Sequence, residues 1–566
     1  LPAWGATVRI PRLTDMDGTL RILLRGETLD PAAARGLGII DRIIPAADFR
    51  ARVARYALRR ARRDRGIALS DRPLNRGILD GSRGARRLML NRAARRYLSG
   101  PDSAPAGSAT RVTFDLLARS DSLSAERAFA LEASLAARVM TSAEARGRLH
   151  AERCLARVSG DLPESGPVIR SAAVLGSNRT ASDLAALLVA AGVTVRMKDE
   201  RRDLVARGVA IARERIEWER SNRRISAAEA GRRLTRLLPV TGYGGFGTLD
   251  LVISAHRSVA AARTDLRDCH RHVGPGCLLA LHTWGATANP SDFEDIESPA
   301  AIGLALSLPA DRFPLLEIIA GPGADPTSIA AIRRLADRLG LTTVRVPAGS
   351  PSPGTRLIAT YFAEASRLID EGATVVQVDD AAERFGFEVG PFRRMDAMGA
   401  DRAYEIVAAI ATPFTDSLSA RWFGRFARES RTFYTYRSGV PGEPNPLLPP
   451  GLSPDGDTVE DMVQRRLSLA LTGEAIRILE TGRVNDAALL EVIVLRALGY
   501  PARRGGLLFQ ARQVGFDTLL TEFEAAESRF GKRFAPPGLL KEWASADGGA
   551  GGAAKAPDLD RMVGWR

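Results

Sequence analysis

The chain has 566 residues, a formal net charge of +14 and a hydrophobic fraction of 45%. At ~150 residues per domain that length predicts three to five domains. The composition is that of a globular protein, with no run near the ~18 apolar residues of a membrane helix, no transmembrane segment expected and no signal-peptide pattern.

Cys154, Cys269 and Cys277 are the only cysteines, too few for a disulfide scaffold, and they fit a reducing, cytoplasmic setting. Lysine occurs only at 198, 532, 541 and 555, so arginine supplies 76 of the 80 basic residues. The arginines are spread widely and are densest from Arg50 to Arg96, which reads as a solvated helix face or as docking for an anion. No nucleic-acid partner is expected. The first residue is Leu1 rather than Met, which points to a fragment or a processed product.

Residues 1–48 mix turn signals with short apolar runs, and 49–100 are Arg-rich at helical spacing. Pro101 to Ser108 is a linker by composition. Residues 122–157 have a helical pattern that closes at Pro163-Glu-Ser-Gly-Pro167. The character changes at Val168. Ala172-Ala-Val-Leu175 is a strand, Asp183 to Ala191 a helix stopped by Gly192, and Val193 to Met197 a second strand, together a βαβ unit. Further strands are expected at Leu249–Ser254, Cys277–Leu281, Ile302–Leu306, Leu316–Ile319 and Thr342–Val346. Strands alternating with helices predict a parallel, doubly wound sheet.

After Pro353 the pattern is almost entirely helical and it repeats. Glu364-Ala-Ser-Arg-Leu-Ile-Asp-Glu-Gly372 is similar to Glu474-Ala-Ile-Arg-Ile-Leu-Glu-Thr-Gly482, an offset of 110. Gly386-Phe-Glu-Val-Gly-Pro-Phe392 echoes Gly499-Tyr-Pro-Ala-Arg-Arg-Gly505, and Gly399-Ala-Asp401 echoes Gly515-Phe-Asp517. Two related helical domains in tandem account for this, joined by the Pro/Gly-rich stretch Gly439 to Asp457. Asp547 to Ala556 is Gly/Ala-rich and is expected to be disordered.

Two helical repeats behind a βαβ domain resemble the α subunit of the fatty-acid oxidation complex, also called the trifunctional-protein α subunit. Leu1-Pro-Ala-Trp-Gly-Ala-Thr-Val-Arg-Ile-Pro-Arg-Leu13, Gly26-Glu-Thr-Leu-Asp30 and Gly38-Ile-Ile-Asp41 are similar to late segments of its crotonase (enoyl-CoA hydratase) half. Phe387-Glu-Val-Gly-Pro-Phe392 with Asp396 and Gly399 resembles its dehydrogenase C-terminal signature. Arg504-Gly-Gly506 and Arg533-Phe-Ala-Pro-Pro537 resemble the second copy. The resemblance implies an α/β chain: a Rossmann doubly wound parallel sheet followed by two tandem all-α dehydrogenase C-terminal domains, preceded by a partial crotonase segment and a helical linker. The boundaries are a crotonase remnant at 1–48, a helical linker region at 49–166, and a Rossmann NAD-binding domain at 167–347. The first and second C-terminal copies follow at 348–445 and 446–546, then a disordered tail at 547–566. The remnant, lacking the strands it would pack against, is expected to be loosely held.

The dinucleotide fingerprint G-x-G-x-x-G/A falls on Gly176-Ser-Asn-Arg-Thr-Ala181. Gly176 supplies the tight turn. Asn178 stands where glycine lets the backbone approach the pyrophosphate, and Arg179 is placed to pair with a phosphate. Asp199 is placed to bond a ribose hydroxyl. NAD is therefore the implied cofactor, with weak or lost binding.

The resemblance also implies a catalytic His in a Gly-Leu-His-Phe-Phe-Asn-Pro motif. The matching stretch is Gly303-Leu-Ala-Leu-Ser-Leu-Pro309, with Ala305 at the base position. The partner carboxylate matches Glu317, the catalytic residue that remains. A Ser-Asn-Thr-Ser stretch reads Leu281-His282-Thr283-Trp284 here. The Asn before an Arg matches Thr355, and two acidic positions match Ser254 and Ser258. The hydratase's two glutamates would lie upstream of the stretch matching Leu1.

Cys269, His270, His272, Cys277 and His282 cluster in sequence, but their spacing fits no zinc pattern, and no metal is expected. Three accounts follow: a multifunctional β-oxidation enzyme with altered chemistry, a non-catalytic acyl-CoA-binding or thiolase-β-docking scaffold, or an inactive decaying copy. The missing base and polar groups favour the latter two.

Overall fold

Short apolar runs between turn residues make the strands, and runs at helical spacing make nearly everything else. The structure is a computed structural model. It describes residues 3–24, 29–44, 48–62, 83–97, 108–120, 122–160, 166–222, 224–256, 259–282, 301–320, 324–348, 351–410, 412–415, 421–437, 440–448, 451, 456–482 and 484–547. Residues 26–28 of the second crotonase-like motif, linker residues 101–107, Ser258, Thr283, Trp284 and the tail from 548 lie outside the described residues.

Packing divides the chain into two units, Leu1–Arg146 and Gly147–Arg566. In the first, every described element is a helix: Ala6–Leu13, Met16–Leu23, Pro31–Gly36, Phe49–Ala61, Arg83–Tyr97, Ala109–Ser120 and Ala125–Met140. The helix Ala6–Leu13, within the stretch expected to be loosely held, does not stand apart. Ala6–Leu13 packs on Ala109–Ser120 and Ala125–Met140. Glu132, buried on the latter, accepts the backbone N–H of Gly5 at 2.6 Å and of Thr7 at 2.9 Å, and the Thr7 hydroxyl as well. A helix leaves its first N–H groups without intrahelical partners. A carboxylate from far along the chain meets that need here. Met16, Leu90 and Leu117 form a small apolar cluster in the same unit.

The second unit holds an eight-stranded sheet: β1 (Ser171–Leu175), β2 (Thr194–Lys198), β3 (Leu237–Val240), β4 (Leu251–Ser254), β5 (Leu278–His282), β6 (Ala301–Leu306), β7 (Leu315–Ala320) and β8 (Thr342–Pro347). The order is β3-β2-β1-β4-β5-β6-β7-β8. Strand order therefore reverses between β1 and β4, the topological switch point where open α/β sheets bind ligands. Two features depart from the expected all-parallel sheet. First, β7 runs antiparallel to β6. Only residues 307–314 join them, too few for the dozen or more that a parallel crossover needs. Second, β3 is an unforeseen edge strand carrying Pro239, and a proline in a short run argues against a strand except at an edge.

Beyond the sheet come the helices Pro353–Asp370, Val375–Phe385, Pro391–Met398, Ala400–Ala409 and Arg421–Arg428, and then Gly456–Glu480, Ala487–Leu498, Leu507–Val514, Phe516–Phe530 and Gly538–Asp547. The region is not purely helical. β9 (Tyr434–Arg437) and β10 (Val440–Pro444) form an antiparallel hairpin where a bare linker was expected.

The sequence repeat is visible as reciprocal contacts. Arg356 bonds Glu474 at 2.7 Å, and Arg466 bonds Glu364 at 2.9 Å. Each pair is the other shifted by 110 residues and exchanged between copies. Both glutamates are fully buried. A second motif recurs: buried Asp379 accepts the N–H groups of Phe392 and Arg393 after Gly390, and buried Glu491 accepts that of Phe509 after Gly506. A Cβ on Gly390 would lie 2.5 Å from Asp379, and one on Gly506 would lie 2.0 Å from Glu491, so only glycine admits the carboxylates.

Candidate functional site

β1 ends in the turn that opens the helix Arg179–Ala190. Gly176 turns the chain with φ +104° and donates its N–H to the Lys198 carbonyl at 2.8 Å. That conformation suits glycine. Asn178 is the N-cap of the helix: its side-chain oxygen accepts the Ala181 N–H at 3.0 Å. Its amide donates to the Ala255 carbonyl at 2.6 Å, just beyond β4. Asn178 thus bridges β1 and β4 across the switch point. Ala181 at the third position is fully buried, as close packing of helix on strand requires. Arg179 is exposed at the first helical position. Asp199 follows β2, half-buried, and accepts the Arg201 N–H at 3.4 Å.

Two groups near this loop, at Lys198 and His256, were not foreseen, and a third, Ser254, was expected there. Lys198 is buried, with Nζ 4.4 Å from the centre of the Tyr243 ring, which itself stacks on His272 at 4.3 Å. His256 bonds Asp265 through Nε2. Its pKa is raised, chiefly by that bond and against the effect of burial. Ser254 is buried at the end of β4, its hydroxyl without a hydrogen-bond partner among the described residues.

These residues fit the ADP half of a dinucleotide: a glycine turn and a helix N-terminus beside Arg179 for phosphate, and a carboxylate at the end of the neighbouring strand for ribose. At the position where the fingerprint has its second glycine, the Asn178 side chain is instead bonded to the Ala255 carbonyl.

The base position lies on the other side of the sheet's centre. Ala305 on β6 is registered directly opposite Glu317 on β7, and both are buried. Glu317 accepts the Ser352 hydroxyl at 2.8 Å and the Gly354 N–H at 3.0 Å, so it caps the helix Pro353–Asp370. Ser352 in turn lies 2.7 Å from the buried Thr355 hydroxyl. Burial pushes the Glu317 carboxyl up to about 7 against the two hydrogen bonds, which favour its charge. A Cβ on Gly354 would lie 2.6 Å from Glu317. Glu317 lacks a histidine opposite it, but its oxygens are engaged by the helix terminus.

His282 ends β5 opposite Leu304, fully buried. Burial first, then the nearby Arg402 charge, holds its pKa down to about 3, so the imidazole is neutral. Cys269 and Cys277 share an apolar cluster with Leu266 and Leu279, and burial pushes both thiols up to about 12. Among the described residues no three His, Cys, Asp or Glu are grouped to hold a metal ion.

Gly176, Asn178, Arg179 and Asp199 are therefore brought together around one turn. Glu317 is on β7, four strand positions from β1. At the usual spacing that is roughly 19 Å away. The Ser352-Pro353 pair signalled a helix start, but nothing in the sequence tied it to Glu317. The His256–Asp265 pair spans a strand-to-helix turn and leaves no periodic signal.

Residues 171–349 match the 3-hydroxyacyl-CoA dehydrogenase NAD binding domain, and 354–436 match the C-terminal domain of the same family. The chain is 23% identical to the fatty acid oxidation complex subunit alpha of Shewanella sp. (strain MR-7), over 96% of this chain and 79% of that protein. It is 24% identical to the subunit of the same name from Psychrobacter sp. (strain PRwf-1), with the same coverage. Among solved structures, 3-hydroxybutyryl-CoA dehydrogenase from Escherichia coli K12 shares the fold with a TM-score of 0.53 at 19% identity, over 68% of this chain and 99% of that one. The dehydrogenase part of multifunctional enzyme 1 from C. elegans does so with a TM-score of 0.50 at 15% identity, over 69% of this chain and 96% of that one. Over nearly its whole length the chain is thus similar to fatty acid oxidation complex α subunits, and it carries both 3-hydroxyacyl-CoA dehydrogenase domains.

Proposed function

We propose that this protein keeps the frame of a multifunctional fatty-acid oxidation enzyme of 3-hydroxyacyl-CoA dehydrogenase type but turns over 3-hydroxyacyl-CoA poorly or not at all. One observation carries the reading: Ala305 faces Glu317, and both Glu317 oxygens are engaged by Ser352 and Gly354. Oxidising an alcohol needs a base on its hydroxyl, and a positioned base contributes roughly 10²–10⁴-fold. Alanine accepts no proton. His282, neutral and fully buried, is one register position away on β5, opposite Leu304.

NAD, when bound, would supply the hydride acceptor. Asp199 would hold its ribose hydroxyls and the helix start at Arg179 its pyrophosphate, against the crowding by Asn178. We read cofactor affinity as weakened for that reason.

A scaffold role is the second reading: binding acyl-CoA, or docking a thiolase β subunit, without chemistry. The intact reciprocal ion pairs Arg356–Glu474 and Arg466–Glu364 favour it, because the frame is kept where the site's polar groups are not. The three buried free cysteines fit a cytoplasmic setting.

Equilibrium dialysis with a 3-hydroxyacyl-CoA, run beside an NADH assay on the same protein, tests both readings. We expect saturable binding with no NADH above background. Turnover at an ordinary enzyme rate would overturn the first reading, and no binding would remove the acyl-CoA scaffold.

A further inference from the structure

His256 takes no part in the dehydrogenase chemistry above, yet it stands against the nucleotide turn. A Cβ built on Gly176 would lie 3.6 Å from His256 Cε1, so the ring is in van der Waals reach of the turn. It follows Ala255, whose carbonyl receives the Asn178 amide. Asp265, on the helix Val259–His270, holds Nε2 and fixes the ring's orientation. A protonated imidazole has two N–H donors. With Nε2 on Asp265, the second belongs to Nδ1. The side chain is 28% exposed, so solvent and ligands reach it.

The surrounding charges fall into three groups. Asp265 faces His256 from its helix, while Asp199 and Lys198 face it from the end of β2 with opposing effects. Lys198 is turned onto Tyr243. Asn178 occupies the Ala181 N–H, one of the helix donors an anion would use. One backbone donor of the turn is thus taken by Asn178, and an imidazole held by Asp265 stands beside it.

We propose that His256, oriented by Asp265, is an anion-binding residue of the nucleotide site, contacting the pyrophosphate of an adenine nucleotide beside Gly176 in place of the close backbone approach that Asn178 bars. The inference rests on the nucleotide-binding reading of the Rossmann domain. Binding then requires the protonated ring. The bond to Asp265 raises the His256 pKa, so nucleotide affinity falls as pH rises through that value.

ADP-ribose is a suitable probe, because its pyrophosphate carries no group that titrates near neutrality. Calorimetric titrations from pH 6 to pH 9 should show wild-type affinity falling about tenfold. His256→Gln should flatten the profile at the weaker value. Asp265→Asn should move the midpoint to lower pH and regain affinity at pH 6, a shift that a purely structural tie would not produce. ADP-ribose affinity that is independent of pH and unchanged in His256→Gln would overturn this inference and leave the nucleotide reading standing. No ADP-ribose or NAD binding by either protein at any pH would overturn both.

Discussion

Glu317 combines three properties: complete burial, a carboxyl pushed up to about 7, and two hydrogen-bond donors from one helix start. In a dehydrogenase of this family a carboxylate at this position would orient a histidine. Here Ser352 and Gly354 hold it, and Ala305 leaves the opposite face apolar. Ala305→His therefore inserts a ring into a packed core without a free partner. We expect less than a tenfold gain in NADH formation from 3-hydroxyacyl-CoA, and destabilisation of about 1–3 kcal/mol from overpacking, measured by steady-state assay and urea unfolding. A gain of 10² or more would mean that Glu317 exchanges Ser352 for the new histidine readily. That Ala305 stands where the resemblance puts the base was read from the motif around it. The engagement of Glu317 was not, because its partners lie 35 and 37 residues further on in a different element.

At the scale of elements, the turn Gly176–Ala181 shows how one substitution acts twice. Asn178 caps a helix and ties it to the strand across the switch point. Asn178→Gly would release the Ala255 carbonyl and open the pyrophosphate passage. Glycine at an N-cap costs only a few tenths of a kcal/mol, and losing the hydrogen bond to Ala255 adds about 1 kcal/mol. Thermal unfolding should drop slightly while calorimetric NAD affinity rises. Unchanged affinity would show that Asn178 does not obstruct the cofactor. The seven strands expected between 168 and 347, and the helix expected over Asp183 to Ala191 and found at Arg179–Ala190, were legible because apolar runs and turn residues alternate there. Two strands of the sheet, β3 in its existence and β7 in its direction, show two kinds of failure. β3 was hidden by Pro239 in a run of four residues. The reversal of β7 was available in the shortness of 307–314, but strand-helix alternation elsewhere outweighed it. Glu132 marks the outer limit of sequence reading, since its contacts with Gly5 and Thr7 span 127 and 125 residues.

At the scale of the molecule, carboxyls buried against helix starts recur in the second unit. Burial pushes Glu317 and Asp379 up to about 7 and Glu491 up to about 8. Their folded pKa values lie above their unfolded ones, so the folded state binds protons more tightly. The resulting stability is fully present below the unfolded pKa and is lost as pH rises through the folded one. His282 has the opposite sign below its unfolded pKa, because folding requires it neutral with a pKa of about 3. Above about pH 6.5 it contributes no slope, so the carboxyls dominate there. Thermal unfolding should therefore show stability falling from pH 6.5 to pH 8, by up to ~1.4 kcal/mol per pH unit for each group still protonated. Glu491→Gln should flatten the upper end of that window. Stability that rises across it would mean that the backbone N–H groups at these helix starts outweigh burial. The tandem repeat behind these caps was legible from the offset of 110 between Glu364 and Glu474. The exchange of partners between copies became visible only in the packing of Pro353–Asp370 on Gly456–Glu480.

The central claim is that the family frame persists while the proton-accepting group does not. It is tested most directly by following NADH formation at saturating NAD and 3-hydroxyacyl-CoA, with protein whose fold has been verified by cooperative unfolding. The account predicts a rate indistinguishable from a blank without protein. A steady-state turnover within the ~1–10³ per second of ordinary enzymes would contradict it and require another group to take the proton that Ala305 cannot.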